Sequence, residues 1–453
     1  MTVLCAKQAL TAKGWEQNVR VEIGPDGRIG AVISGAEPEG ERVASLVPAP
    51  VNAHSHAFQR AMAGLTERRG PNPRDSFWTW RQLMFRFLDR LTPDHVEAIA
   101  TFVQMEMLEA GYGTNVEFHY LHHQPGGAPY DALSEMAQRI LAATEVSGIG
   151  LTLLPVHYQF GGCDQRPLAP GQIRFGNDTD RFAKLWQDAS DGLKALPRDA
   201  RMGVAPHSLR AVAPESLAQT AALTDGPIHI HLAEQVAEVE EVQTAWGKRP
   251  VEWLLDNAEV NDRWCAIHCT QMQPHETEAL ARTKAVAGLC PITESSLGDG
   301  IFDGVRWLEN GGRLAIGSDS NIRISLSEEL RTLDYSQRLR DLSRAALADQ
   351  NHSTGRRIFE AACRGGGQAA GRGSGVIATG EWADLMCLDA THVDLEGGEG
   401  DQILDSYIFA GDDRMVTDVW SAGRHLVRDG LHKDHDAITQ RYRTTMADLR
   451  GSL

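Results

Sequence analysis

Short apolar runs alternate with segments of helical periodicity through the middle of the chain. Such runs are typical of strands buried on both faces of a parallel sheet, with helices as the connections. Eight of these βα units predict an α/β fold, a closed (β/α)₈ TIM-like barrel over residues 49–375, with its active site at the carboxyl ends of the strands. A doubly wound open sheet is the alternative, but no G-x-G-x-x-G motif follows the first run. The runs are Leu46–Val51, Gly113–Phe118, Ile149–Val156, Met202–Ala205, Pro227–His231, Trp264–Ile267, Ala287–Cys290 and Arg313–Gly317.

The helical segments between the runs carry recognisable start and stop signals. Thr92-Pro93-Asp94 leads into HVEAIATFVQMEMLEAG, which has proline near its start and glycine at its end. This arrangement predicts a helix that begins at the proline and stops before the glycine.

The two ends of the chain show a different pattern, with alternation instead of long apolar runs. Neither end is long enough to form a stable sheet alone. Residues 1–48 and 376–453 are therefore predicted to pair into one small β-sandwich domain, with a helical tail at the end. The strand-like segments are Asn18–Ile23, Arg28–Ile33, Gly375–Ala378, Ala383–Leu388, Val416–Trp420 and Gly423–Gly430.

Composition narrows the class of protein. The chain has 453 residues, 42% of them hydrophobic, and a formal net charge of -17, which argues against a nucleic-acid surface. No apolar stretch reaches the roughly 20 residues that a bilayer crossing needs, and the first residues show no secretory signal. Seven scattered cysteines without a C-x-x-C pair are typical of a reducing compartment. We therefore expect a cytoplasmic protein without membrane or nucleic-acid partners.

Metal-binding and proton-transferring residues follow four of the apolar runs. The pair His54-Ser55-His56 follows the first run, His231 is the last residue of the fifth, and Glu234 stands three residues beyond it. His268 and Asp319 follow the sixth and eighth runs. One polar residue at a strand end is usually a turn or cap residue, but four such ends in order predict a shared site.

Three imidazoles and one carboxylate suit a borderline divalent ion, zinc first. The predicted ligands are His54, His56, His231 and Asp319. His229 shares a strand face with His231 and is the alternative ligand. The H-x-x-E spacing from His231 to Glu234 favours His231 and leaves His229 as a packed neighbour.

Zinc would lower the pKa of a bound water from near 16 towards about 7, so that hydroxide could attack a carbon that carries nitrogen. The leaving nitrogen then needs a proton from a group close to the metal. Glu234 is the predicted proton donor, His268 is predicted to polarise the electrophile, and Asp319 could accept the proton of the water. Which group moves which proton stays open at this point.

The order H-x-H, H-x-x-E, His, S-D resembles the metal-dependent amidohydrolase superfamily, in its one-metal aminohydrolase branch, over nearly the whole chain. Shorter stretches resemble the formimidoylglutamate deiminase family more specifically. They are HSHAFQRAMAGLTER, FWTWRQLMF, EFHYLHH, APHSLRAV and CPITESSLGDGIFD.

The resemblance implies one zinc ion per subunit and hydrolysis of N-formimidoyl-L-glutamate to N-formyl-L-glutamate and ammonia, in histidine degradation. Guanidinium groups are matched partners for the two carboxylates of such an anionic substrate, and Arg81 and Arg210 are the candidates. Gln59, Tyr120 and His207 resemble the substrate-contacting positions of the family.

Several alternatives remain at this stage. Fe²⁺ accepts the same ligands as zinc. A homodimer is expected only because two-fold oligomers are common. An aminohydrolase for a cyclic substrate, such as guanine or a related purine or triazine, would use the same metal chemistry. A non-catalytic barrel scaffold is a remote alternative, since it would not require the complete set of ligands and proton carriers.

Overall fold

Seventeen strands build two sheets in the computed structural model, which describes residues 1–67 and 84–451. The strands are β1 (Thr2–Thr11), β2 (Gly14–Ile23), β3 (Ile29–Ile33), β4 (Glu41–Pro48), β5 (Val51–Ser55), β6 (Thr114–His119), β7 (Gly150–His157), β8 (Arg201–Met202), β9 (Ala205–Pro206), β10 (Ile228–Leu232), β11 (Trp264–His268), β12 (Val286–Leu289), β13 (Arg313–Ile316), β14 (Leu385–Leu388), β15 (Val416–Ser421), β16 (Arg424–Arg428) and β17 (Leu431–His432).

The central sheet is parallel, in the order β10-β11-β12-β13-β5-β6-β7-β8, with β9 also paired to β7. Isolated bridges join Val204 to Ile228 and Ser208 to His231, so the segment around β8 and β9 also pairs with β10. Every residue of β5, β6, β7, β10, β11 and β12 is buried, as expected for strands covered by helices on one face and core on the other. This arrangement confirms the prediction of a TIM-like barrel.

The second sheet combines both ends of the chain in the order β17-β16-β15-β14-β4-β1-β2-β3. β1 pairs parallel with β4, and β4 pairs antiparallel with β14, so the N-terminal strands and the C-terminal strands share one ladder. A second sheet from the chain ends was predicted and is confirmed. The domain boundaries at 48/49 and 375/376 stay a prediction.

Three sequence-based strand predictions were wrong in detail, and one of them, Met202–Ala205, covers the end of β8 and the start of β9. The run Leu46–Val51 covers parts of two strands, because β4 ends at Pro48 and β5 begins at Val51. Proline lacks the N–H that would continue a ladder, so Pro48 and Pro50 separate the end sheet from the barrel. Gly375–Ala378 forms no strand, and Ile377 makes only an isolated bridge to Thr11.

Helices connect the barrel strands and follow several strands of the end sheet. The predicted helix after Thr92 spans Pro93–Glu109, and the Thr92 side chain accepts the N–H of His95. Short 3₁₀ helices span Ala57–Met62, Pro170–Gln172 and Asp413–Met415. The other α-helices are Glu135–Ser147, Thr179–Leu193, Pro214–Ala221, Val236–Trp246, Pro250–Asn257, Pro274–Arg282, Pro291–Leu297, Gly304–Glu309, Leu326–Asp341, Thr354–Ala369, Asp401–Phe409 and His435–Gly451.

The last helix, His435–Gly451, packs on the barrel helix Pro93–Glu109. Tyr442 stacks on Phe102 with ring centroids 4.0 Å apart, and His95 contacts Asp448 at 2.9 Å. The helical tail therefore joins the barrel's outer layer. None of the helices in the described part of the chain combines the length and the hydrophobicity that a bilayer crossing requires.

Candidate active site

The H-x-H pair lies at the carboxyl end of β5. His54 is the fourth residue of this strand and His56 follows its last residue. Nδ1 of His56 lies 2.9 Å from the backbone oxygen of Phe118 on β6. A carbonyl oxygen can only accept a hydrogen bond, so Nδ1 carries the proton and Nε2 presents its lone pair to the site.

His231, on β10, brings a third imidazole to the same point. Its Nδ1 donates to the backbone oxygen of His207 at 3.0 Å, which again leaves the lone pair on Nε2. That Nε2 atom lies 3.1 Å from Nε2 of His54. The two imidazoles therefore approach each other through their ring nitrogens.

The carboxylate of Asp319 adds an oxygen donor beside this cluster of imidazoles, and it also forms a group able to hold a metal with His54 and His268. Its Oδ1 atom lies 3.3 Å from Nε2 of His56 and 3.6 Å from Nε2 of His54. Donor atoms around a tetrahedral zinc ion, with bonds of roughly 2.0–2.1 Å, lie about 3.3 Å apart. The imidazole nitrogens and the carboxylate oxygen converge at separations of this size, so the donor set fits one divalent ion.

The protonation state of the imidazoles also fits metal binding. Burial lowers the pKa of His56 to about 3 and lowers the pKa of His54 and His231 well below the ordinary histidine value. Neighbouring imidazoles lower the pKa of all three further. All three rings are therefore neutral at neutral pH, as a metal ligand must be.

Backbone pairing holds Asp319 against the H-x-H pair. Asp319 N–H donates to the oxygen of His54, and His56 N–H donates to the oxygen of Asp319, both at 2.9 Å. A Cβ atom on Gly317 would lie 2.7 Å from the backbone nitrogen of His54, so only glycine permits this approach. Asp319 itself has φ 47, a left-handed conformation that costs about 1–2 kcal/mol and is often found at active sites.

His229 lies outside this cluster. It is fully buried, and its Nε2 contacts the backbone oxygen of Ala369 at 2.8 Å. The groups of side chains able to hold a metal in the described residues include His231 with His54 and His56, and do not include His229.

Glu234 and His268 lie beside the cluster. Nε2 of His268 is 3.8 Å from Oε1 of Glu234 and 3.8 Å from Oδ2 of Asp319. Burial lowers the pKa of His268, but the carboxylates of Glu234, Glu294 and Asp319 outweigh burial and raise that pKa to about 10. A protonated imidazole therefore lies beside three carboxyl groups at the edge of the cluster.

Two buried glutamates at the site have no counterpart in the sequence-based prediction. Glu294 contacts Nδ1 of His268 at 3.2 Å. Glu117 accepts hydrogen bonds from the hydroxyl of Ser55 and from the N–H of Ala57, each at 2.7 Å. It therefore holds the residues on either side of His56 in the chain. Both residues lie within the quoted stretches CPITESSLGDGIFD and EFHYLHH, but a single acidic residue gives no local signal of such a contact.

A pocket of about 580 Å³, including space open to solvent, adjoins the cluster. Four of the five predicted substrate-contacting residues line it: Gln59, Tyr120, His207 and Arg210. The Gln59 amide donates to the Tyr120 hydroxyl at 2.7 Å. Arg81 lies outside the described residues. Tyr158 and Phe175, which the sequence did not suggest, also line the pocket.

Comparison with known proteins gives two family matches. Residues 45–426 match the model described as Amidohydrolase family, and residues 1–42 match the model described as Formimidoylglutamate deiminase HutF, N-terminal domain. Together the two models span nearly the whole chain.

Individual relatives extend this similarity. The chain is 46% identical to a formimidoylglutamate deiminase of Pseudomonas aeruginosa, over 99% of this chain and 100% of that protein. A crystal structure of an amidohydrolase from Brucella melitensis superposes with a TM-score of 0.95 at 45% identity, over 99% of this chain and 100% of the other. An adenosine deaminase from Xanthomonas campestris with bound zinc shares the fold, with a TM-score of 0.82 at 22% identity over 99% and 98% of the two chains.

Proposed function

Because the chain belongs to the amidohydrolase family and, within it, to the formimidoylglutamate deiminases, we propose that it hydrolyses N-formimidoyl-L-glutamate to N-formyl-L-glutamate and ammonia. This reaction is a step of histidine degradation. One structural observation supports the proposal most directly. The pocket brings together a group of side chains able to hold a metal, two residues able to transfer protons (Glu234 and His268), and Arg210.

The family is in general metal-dependent. For this chain we propose one Zn²⁺ per subunit, with Fe²⁺ as the alternative. The proposed ligands are His54, His56, His231 and Asp319. The support is the fixed Nδ1–H of His56 and of His231, each donated to a backbone oxygen. When bound, the ion would lower the pKa of a water molecule from near 16 towards about 7 and so supply the nucleophile.

The reaction exchanges the C=N double bond of the formimidoyl group for a C=O double bond. The oxygen of water adds to the formimidoyl carbon, and one proton of water passes to the terminal nitrogen. The tetrahedral adduct then releases its hydroxyl proton to form the carbonyl group, and the amino group leaves as ammonia once it has gained a proton. Glu234 donates that proton, because its carboxyl group lines the pocket beside the cluster. His268, whose Nδ1 is paired with Glu294, points Nε2 towards the site and stabilises the charge that develops on the substrate.

Asp319 has a second role in this scheme. Its Oδ1 faces the imidazoles of His54 and His56, while its Oδ2 lies 3.8 Å from His268. We therefore assign to Oδ2 the acceptance of the proton that water loses and its exchange with the neighbouring proton carriers.

The glutamate part of the substrate brings two carboxylates, and the chain has an overall charge of -17. The pocket must therefore supply local positive charge, and Arg210 does so from a buried position with 9% of its surface exposed. Gln59, Tyr120 and His207 are proposed to contact the same part of the substrate. Arg81 is proposed for the second carboxylate on sequence grounds alone.

The protein's setting is proposed as cytoplasmic, with a homodimer as the assembly. All seven cysteines are buried and unpaired, which is consistent with a reducing compartment. Size-exclusion chromatography with light scattering would test the dimer.

Ammonia release from N-formimidoyl-L-glutamate tests the function. The protein would be stripped with a chelator, reloaded separately with Zn²⁺ and Fe²⁺, and assayed in parallel on guanine, adenosine and a triazine. We expect metal-restored turnover of the acyclic amidine alone. Turnover of a cyclic substrate without turnover of N-formimidoyl-L-glutamate would replace the proposed reaction with the cyclic aminohydrolase alternative.

A further inference from the structure

Glu238 has an unusual set of partners for a buried carboxylate. It lies in the first turn of the helix Val236–Trp246 and is 0% exposed. Its Oε1 accepts the N–H of Ala233 at 3.1 Å, and its Oε2 accepts the N–H of Glu234 at 2.9 Å. A buried carboxylate must be hydrogen-bonded, and here two consecutive backbone groups provide the bonds.

Glu238 binds the turn formed by Ala233 and Glu234, and the conformation of this turn determines the direction of the Glu234 side chain. Ala233 adopts φ 51, a left-handed conformation that alanine disfavours by about 1–2 kcal/mol. Such a conformation persists only where surrounding contacts impose it. On the other side of the turn, the Thr270 hydroxyl donates to the oxygen of Glu234 at 2.8 Å, so the backbone of Glu234 is held through both its N–H and its carbonyl oxygen.

Glu238 also interacts electrostatically with the pocket arginine. Burial raises the pKa of the Glu238 carboxyl, and the guanidinium of Arg210 is the strongest influence in the opposite direction. Glu238 is likewise the strongest of the carboxylates that raise the pKa of Arg210. The two buried groups thus compensate each other's charge.

We propose that Glu238 is a positioning residue: its hydrogen bonds to the N–H groups of Ala233 and Glu234 fix the turn that carries Glu234, the proton donor. This inference rests on the proposed function for the role of Glu234. Glu238 itself does not line the pocket and acts through its neighbours.

Two variants separate the hydrogen bonds of Glu238 from its charge. Glu238→Gln keeps the shape but loses the charge and replaces one acceptor with a donor that faces an N–H. Glu238→Asp keeps the charge but is too short to reach both N–H groups. Glu240→Gln is the matched control, because Glu240 lies on the same helix and is exposed.

We expect both Glu238 variants to lower kcat about 10- to 100-fold on N-formimidoyl-L-glutamate, since small misplacement of a reacting group has costs of this size. In a Glu234→Gln background, Glu238→Gln should cause no further loss of kcat. Additive losses, or an unchanged kcat in both Glu238 variants, would overturn the inference.

A second measurement does not depend on turnover. Hydrogen exchange of the amides of Ala233 and Glu234 should be at least about tenfold faster in both Glu238 variants than in wild type and Glu240→Gln. Metal content and the exchange of β11 should be unchanged. Unaltered exchange at these two amides would refute the positioning role even if the wild type fails to turn over N-formimidoyl-L-glutamate, a failure that would count against the proposed function separately.

Discussion

Nδ1 of His268 lies 3.2 Å from Oε1 of Glu294, and the same oxygen accepts the N–H of Cys290 at 2.8 Å. Because the carboxylate is fixed by the backbone at the end of β12, it holds the imidazole ring in one orientation. Nδ1 then carries a proton, and Nε2 is directed towards Glu234 and Asp319.

Glu294→Gln is expected to lower kcat about 10- to 100-fold with little change in KM, because an amide in place of the carboxylate no longer selects one protonation pattern of His268. Steady-state kinetics with N-formimidoyl-L-glutamate would measure the effect at equal metal content. The exposed Glu309→Gln serves as the control. A kcat within twofold of the wild type would contradict the role assigned to Glu294.

The identity of the third imidazole ligand can be tested by two alanine variants on one strand. His231→Ala is expected to weaken metal binding by more than about 100-fold, since even partners outside the coordination shell are worth about 10- to 100-fold. His229→Ala should retain the metal and lose about 1–3 kcal/mol of stability, because the oxygen of Ala369 loses its partner. Metal analysis after dialysis and urea unfolding would distinguish the two, and the reverse result would make His229 the ligand.

Much of this site could be predicted from sequence because its residues follow apolar runs, and parallel strands bring their carboxyl ends to one side. Five site residues lie at such strand ends, as this rule predicts: His54, His56, His231, His268 and Asp319. The choice between His231 and His229 also came from local spacing.

Contacts between distant segments could not be predicted in the same way. Glu117 and Glu294 accept hydrogen bonds from groups that are distant in the sequence: Glu117 from Ser55 and Ala57, and Glu294 from His268. No pattern in the sequence around either glutamate predicts these contacts. The strand boundary near Pro48 was predicted wrongly. Apolar residues continue from β4 into β5, but the hydrogen-bond ladder of the end sheet stops at Pro48. The segment containing Arg81 lies outside the described residues, so that prediction still rests on sequence.

Arg210→Lys tests recognition of the substrate carboxylate. Lysine keeps a positive charge near Glu238 but loses the planar pair of donors that suits a carboxylate. KM for N-formimidoyl-L-glutamate should rise about tenfold or more, in line with a lost charge-assisted hydrogen bond. Formamidine, which has no carboxylate, should react equally with wild type and variant, and an equal loss on both substrates would argue against carboxylate binding by Arg210.

The contact between barrel and end sheet depends on a buried ionic cluster. Arg372 pairs with Asp384 at 2.8 Å and with Asp199 at 3.0 Å, and its side chain is 0% exposed. Arg424, on β16, also binds Asp199 at 2.7 Å. Removal of one partner leaves a buried charge uncompensated, so Arg372→Met should lower the free energy of unfolding by about 3–5 kcal/mol.

Urea unfolding monitored by circular dichroism would measure that loss. Arg414→Ala is the control, because its ion pair with Asp412 lies on the surface and should contribute no more than about 1 kcal/mol. Equal stability of Arg372→Met and wild type would show that the cluster is not needed to join the two sheets.

Glu117 should make the stability of the metal-free protein depend on pH. Burial raises the pKa of its carboxyl from 4.5 to about 7, although hydrogen bonds from Ala57, Ser55 and Asn115 oppose the rise. For an acid whose pKa is higher in the folded state, the stabilising contribution is complete below the unfolded pKa. It is lost as pH rises from about 4.5 to about 7.

Glu117→Gln reproduces the shape of the neutral acid and does not titrate. Chelator-treated wild type should therefore lose stability relative to Glu117→Gln between pH 5 and pH 8, values that bracket the upper part of the window. Unfolding free energies of both proteins across this range would measure the difference. Parallel curves would show that Glu117 has the same pKa in the folded and the unfolded chain. Glu117 would then bind Ser55 and Ala57 as an ionised carboxylate over the whole range from pH 5 to pH 8.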